Sequence, residues 1–178
     1  MIKEKEWFLD EPSSMREGQS PLCYDTICMG GTFDHMHSGH KLLLTQACML
    51  TKKKMIIGIS ADKLLEKKRN ADIIEPWDQR AGYVRDFLQR LRGTTKIELD
   101  IFELVDPCGK GATEPDIDAV ILTKEVEKGG HMINSQRKEN GFKELPFAFV
   151  DIIFSEGKEG DMSAKTSSTY IRDYIKAN

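Results

Sequence analysis

A chain of 178 residues with 39% hydrophobic content and a formal net charge of -3 can fill one good core but is short for two, so a single folded domain is expected. The slightly acidic balance argues against a dedicated nucleic-acid surface and points to small substrates held by local charge. Cys23, Cys28, Cys48 and Cys108 form no C-x-x-C pair, and the sequence carries neither an apolar signal core nor an 18-residue apolar run, so a reducing, cytoplasmic setting without a membrane segment is expected.

Residues 1–20 read as a flexible tail. Lys3-Glu4-Lys5-Glu6 and Asp10-Glu11-Pro12-Ser13-Ser14 are too polar to build a core, and the small cluster Trp7-Phe8-Leu9 is given no function. The folded domain is placed at 21–178. There Ile27-Cys28-Met29 lead as a strand into Gly30-Gly31-Thr32-Phe33-Asp34-His35-Met36-His37-Ser38-Gly39-His40. From Ser38 onward Leu42, Leu43, Leu44, Ala47 and Leu50 recur at the spacing of a buried helical face. Strand, tight turn and helix make an anion site: the first N–H groups of the helix are unpaired, and an exposed anionic contact with the dipole is worth roughly 0.3–1 kcal/mol. His37 and His40, three apart, lie on one turn and face one substrate, as neutral donors or as cations. Three histidines in six residues also suggest zinc, but no cysteine or carboxylate completes a ligand set and no metal is assigned. His35 reads as a bystander. Asp34 is left open between a structural turn residue and a site residue.

Lys54-Met55-Ile56-Ile57-Gly58-Ile59-Ser60 reads as a strand covered on both faces. The following run, Asp62 to Arg69, has the ordinary reading of a solvated face. It leaves the carboxyl end of a strand, however, where open α/β sheets bind ligands, so Lys63, Lys67 and Lys68 are candidate phosphate clamps. Pro76 opens a helix with Tyr83, Val84, Phe87, Leu88 and Leu91 as its buried stripe, and Gly93 ends it. Lys96–Leu104 alternates like a strand near a sheet edge, and Asp106–Pro115 reads as a loop. Asp118–Thr123 is a short buried strand. Lys124–Asn140 is a polar helix interrupted at Gly129-Gly130, with His131 solvated, and Phe147–Phe154 is another strand. A charged connector, Glu156–Asp161, leads to Ser163–Thr169 and a last helix from Tyr170 through Ile175.

The order β-α-β-α-β-β-α-β-α predicts an α/β fold: a mostly parallel five-stranded sheet between two helical layers, with several strand ends on one rim. Ser167-Ser168-Thr169 alone is a helix cap. Paired with the histidine turn, and with Arg172 three residues beyond Thr169, it becomes a second phosphate cradle.

Gly31-Thr32-Phe33-Asp34 with His37-Ser38-Gly39-His40, and Thr166-Ser167-Ser168-Thr169-Tyr170-Ile171-Arg172, resemble the two signatures of the HxGH nucleotidylyltransferase superfamily. More narrowly, Leu104-Val105-Asp106-Pro107, Thr123-Lys124-Glu125, Gly129-Gly130, Ile133-Asn134, Arg137 and Glu139-Asn140 are similar to the eukaryotic-type phosphopantetheine adenylyltransferases of coenzyme A synthesis. The similarity runs from residue 24 to 177. The resemblance implies a Rossmann-like fold and transfer of AMP from ATP, with Mg²⁺, to 4′-phosphopantetheine. The products would be dephospho-coenzyme A and pyrophosphate, formed by in-line attack without a covalent enzyme intermediate. It assigns His37 and His40 to the ATP phosphates and the transition state. Gly30, Gly31, Thr32 and Phe33 go to the nucleotide, with Thr32 also orienting the attacking phosphate. Lys63 is given the bridge between the two phosphates, with Lys67 or Lys68 as substitutes, and Ser168, Thr169 and Arg172 take the β- and γ-phosphates. Where the bacterial branch carries Arg-Gly-x-Arg this chain has Thr123-Lys124-Glu125, so Arg137 or Lys128 is expected to compensate. Two other activities stand beside this one: another transferase of the superfamily, such as a cytidylyltransferase, and a non-catalytic sensor of nucleotide or coenzyme A. No P-loop follows Tyr170, so the next pathway step is expected from elsewhere unless the chain is an excised domain.

Overall fold

The computed structural model describes residues 23–93, 96–150 and 167–178. The tail at 1–20, the connector at 156–161 and Thr166 lie outside the described residues.

Five strands carry the fold: β1 (Tyr24–Gly31), β2 (Thr51–Ser60), β3 (Glu98–Leu104), β4 (Ala119–Leu122) and β5 (Phe147–Phe149). They form one sheet in the order β3-β2-β1-β4-β5, with every pairing parallel. Strand periodicity divides the core into two layers. On one face Ile27 and Met29 of β1 and Met55, Ile57 and Ile59 of β2 join Leu44 and Ala47 of α1 (Ser38–Leu50) and Val84 and Leu88 of α2 (Trp77–Arg92). On the other, Cys28 and Ile56 meet Val120, Leu122 and Ile133, the last from α4 (Glu127–Glu139). The expected three-layer α/β architecture is what forms, and β3 is the edge strand its alternation indicated. Its outward carboxylates are matched there, Glu98 by Lys54 and Asp100 by Lys54 and Lys110.

Three local expectations change. Within the expected loop at 106–115 stands α3 (Gly109–Thr113). Its turn formers are a cap: Asp106 Oδ1 accepts from the backbone N–H groups of Cys108 and Gly109 at 2.9 and 2.8 Å, and Gly109 adopts φ 46°. On α2 the buried stripe is Arg80, Ala81, Val84 and Leu88, whereas Tyr83 and Leu91 are exposed. Finally, α4 runs through Gly129-Gly130 without interruption.

The reason for a glycine at 130 is proximity. A Cβ there would sit 2.6 Å from Leu122 Cδ1 and 3.0 Å from the Phe147 ring, while one at Gly129 would meet nothing within 4 Å. Gly130→Ala is therefore expected to cost about 1–3 kcal/mol by overpacking. Gly129→Ala is expected to stabilise by roughly 0.5–1 kcal/mol through helix propensity alone. Urea midpoints of the two variants check the pair; equal shifts would mean that α4 is not seated tightly on β4 and β5.

The last helix, α5 (Ser168–Ala177), starts two residues before the expected Tyr170, because Ser167 Oγ accepts from Tyr170 N at 3.2 Å and caps it. Among the described residues no helix is long and apolar enough to cross a membrane.

Candidate active site

The carboxyl end of β1 runs into a loop, Thr32–His37, that the chain can make only under strain. Phe33 and His35, neither of them glycine, take φ of 53° and 45°. Burial holds the loop in place. Phe33 is in the core, and Asp34 is fully buried with Oδ1 accepting from Glu75 N at 3.0 Å and Oδ2 from Arg172 Nη1 at 2.5 Å. His35 is fixed as well: its N–H donates to Glu75 Oε2 at 2.7 Å, and its Nε2 lies 3.2 Å from Ile73 O.

His37 then caps α1. Its Nδ1 accepts from Gly39 N at 3.1 Å, which leaves the ring proton on Nε2, the tautomer that donates outward from the helix start. The His40 ring stacks on that of His37, with centroids 3.9 Å apart, and meets Phe33 at 5.4 Å. Two imidazoles thus stand side by side at a helix N-terminus, an arrangement that complements the oxygens of a phosphate chain.

The carboxyl-terminal segment comes to the same place. Ser168 Oγ donates to Asp34 O at 2.7 Å, and Arg172, 3% exposed, joins Asp34 to Thr169 Oγ1 (3.2 Å) and to Arg69 O (3.1 Å). Outer bonds tie α5 to the segment after β2, Asn70 and Arg69 to Asp173 and Lys176 to Asp72. The N-terminus of α5 therefore lies beside the histidine loop, and the space beside them is the candidate crevice.

Of the three candidate lysines, Lys68 reaches this crevice, with Nζ 2.8 Å from Thr32 Oγ1. Lys63 and Lys67 are exposed, and their side chains make no hydrogen bond or ion pair among the described residues. Lys68 is exposed as a whole residue, but its ammonium is crowded. Burial of the charged end pushes its pKa below the ordinary lysine value, helped by the Arg172 and Arg80 guanidiniums and opposed by Asp34. Thr32 thus holds a cation at the strand end, as a site for an anion requires.

A family model described as cytidylyltransferase-like matches residues 28–173, a span that includes both the histidine loop and Arg172. The chain belongs to the cytidylyltransferase-like family. A phosphopantetheine adenylyltransferase of Saccharomyces cerevisiae is 34% identical over 155 residues, 87% of this chain and 50% of the yeast protein, so the chain spans half the length of that relative. A phosphopantetheine adenylyltransferase of Methanothermobacter thermautotrophicus is 30% identical over 149 residues, which is 84% of each. Among solved structures, a protein of unknown function from Archaeoglobus fulgidus superposes with a TM-score of 0.63 at 25% identity, covering 75% of this chain and 95% of that one.

Within this cytidylyltransferase-like frame two arginines sit differently from their expected use. Arg172 arrives at the site, but protein acceptors engage its guanidinium and Asp34 balances its charge. Arg137, expected near the nucleotide, is 1% exposed and donates to the carbonyls of Lys143, Gly111, Glu114 and Pro115, tying α4 to the segment around α3. Lys128 is exposed on α4. Sequence reasoning missed a third arginine altogether. Arg80 is fully buried beneath the loop and donates to Thr32 O, Glu75 O and Asp62 Oδ1. One signal was available: Arg80, Val84 and Leu88 are spaced i, i+4, i+8, which puts a charge on the apolar stripe.

Proposed function

We propose that this chain transfers AMP from ATP to the phosphate of 4′-phosphopantetheine, giving dephospho-coenzyme A and pyrophosphate. The docking of the α5 start on the histidine loop, through Ser168 and Arg172 to Asp34, with Lys68 bonded to Thr32 of the same loop, is the observation that carries this reading. The names of the yeast and archaeal relatives supply the substrate pair.

The reaction asks little covalent chemistry of the protein. An oxygen of the acceptor phosphate attacks the α-phosphorus of ATP, a new P–O bond forms, and the bond from that phosphorus to the β-phosphate bridging oxygen breaks as pyrophosphate leaves. Catalysis then comes from alignment and from charge placed in advance. Thr32 and Lys68 hold the attacking phosphate against the α-phosphate. His37 and His40 donate to oxygens on which charge builds. Ser168, Thr169 and the N–H groups opening α5 receive the β- and γ-phosphates, while Arg172 holds that helix in place.

An apolar slot opens from the same strand ends. Gly30, Leu104, Pro107, Cys108 and Ile133 are among its walls, and at about 40 Å³ it would take only an apolar tip of the acceptor unless it widens on binding. Mg²⁺ fits as part of the substrate. Asp34, His35 and Glu75 are grouped closely enough to hold an ion, yet both Asp34 oxygens are already engaged by Glu75 N and Arg172. The metal is thus proposed to arrive on the triphosphate and to neutralise its charge there.

Pyrophosphate release with ATP and 4′-phosphopantetheine is the test. Turnover with that pair and none with CTP in place of ATP is expected. Turnover with CTP and a phospho-alcohol alone, or ATP binding without pyrophosphate release, would overturn the proposal in favour of a cytidylyltransferase or a sensor.

A further inference from the structure

Arg80 is a guanidinium with no exposed surface, and burying such a charge costs several kcal/mol unless its donors are met. They are met by three different segments: Nε donates to Glu75 O at 2.7 Å, Nη1 to Thr32 O at 2.8 Å and Nη2 to Asp62 Oδ1 at 2.6 Å. Each acceptor matters to the crevice. Thr32 directly precedes the left-handed Phe33, so its carbonyl marks the start of the strained loop. Asp62 begins the turns that lead to Lys68: Leu65 N donates to Asp62 O, and Lys68 N donates to Leu65 O. Glu75 fixes Asp34 and His35 through its own backbone and carboxylate.

We infer that Arg80 is a positioning residue, its guanidinium setting Thr32 and Lys68 at their working separation by gripping the segments that carry them. The inference rests on the proposed transfer reaction for the meaning of that separation. Lys68 Nζ meets Thr32 Oγ1 at 2.8 Å, and Arg80 holds Thr32 on one side of this contact and the root of the Lys68 turns on the other. Arginine suits the task because its planar fork directs bonds along three lines at once, whereas lysine presents a point charge on a flexible stem.

Arg80→Lys and Asp62→Ala test this, the second because the Asp62 side chain is 66% exposed and its loss removes one grip without emptying the core. In Arg80→Lys kcat is expected to fall on the order of 10–10²-fold, the scale of a 1 Å misplacement, with KM for ATP within about twofold of wild type. In Asp62→Ala a smaller fall in kcat, about threefold or more, is expected below the unfolding transition, together with a lower Tm because the buried Arg80 guanidinium loses its charge partner. Arg80→Met adds a pH readout. The groups facing Lys68 are Arg80 from α2, Arg172 from α5 and Asp34 from the loop. Removing one of the two cations should move the alkaline limb of kcat to higher pH, a shift that Arg80→Lys should not produce. If the Arg80 variants do not fold, Asp62→Ala decides alone. Wild-type kcat in either folded variant overturns the inference. Absence of turnover in the wild type instead overturns the transfer reaction. In that event the Lys68 ammonium NMR signal decides: a signal displaced by Asp62→Ala supports the coupling, and one unmoved ends it.

Discussion

Replacing His40 by alanine is expected to lower kcat for pyrophosphate release by about 10²–10³-fold, the loss typical of one preorganised donor. The His40 ring stacks on His37 at 3.9 Å, so in the proposed reaction the two imidazoles would share one approach to the phosphates. His37 should behave differently. Its Nδ1 also caps α1 through Gly39 N, so His37→Ala combines lost catalysis with a cap loss of roughly 0.5–2 kcal/mol. His37→Asn keeps a cap acceptor and separates the two. Stopped-flow kinetics with thermal denaturation of each variant provides the measurement. His40→Ala at near-wild-type kcat would remove the histidine pair from the mechanism, whatever the fate of the remaining assignments.

The two ends of this site were legible because each is written in local chemistry. A glycine pair before an apolar helix, two histidines three apart, and Ser-Ser-Thr before a short helix each state their local structure without reference to the rest of the chain. Their meeting followed from parallel topology, which brings strand ends to one rim. What stayed hidden was decided by burial and by turns. Lys63 and Lys68 belong to one charge run, and choosing between them requires the single turn at Asp62–Leu64 and the bonds after it, which direct Lys68 and not Lys63 toward Thr32. Arg137 and Arg172 looked like phosphate ligands because arginine commonly is one; both turn inward onto protein acceptors. The Gly129-Gly130 pair was misread as well: helix propensity marked a break, while the packing of α4 on Leu122 and Phe147 required a residue without a side chain.

Arg172→Met should release α5 and leave the sheet intact, and magnitudes decide between these outcomes. Leaving a buried partner charge uncompensated typically costs about 3–5 kcal/mol, and Asp34, with no exposed surface, would be that charge. The alternative is for α5 to lift away and let water reach the carboxylate. Little else opposes that motion. No side chain of α5 belongs to either apolar cluster among the described residues; its remaining ties are hydrogen bonds from Ser168 to Asp34 O and from Asn70 to Asp173, each worth about 0.5–1.5 kcal/mol, and ion pairs with Arg69 and Asp72, each worth roughly 0–1 kcal/mol. Local release is thus the cheaper response. Hydrogen exchange should show α5 amides losing protection while those of β1 and β2 keep theirs. Because Ser168 and Thr169 leave with the helix, KM for ATP should rise by at least about tenfold, the equivalent of 1.4 kcal/mol of lost binding. Protected α5 amides together with a global loss of about 3–5 kcal/mol would show instead that the helix is held by more than its charges.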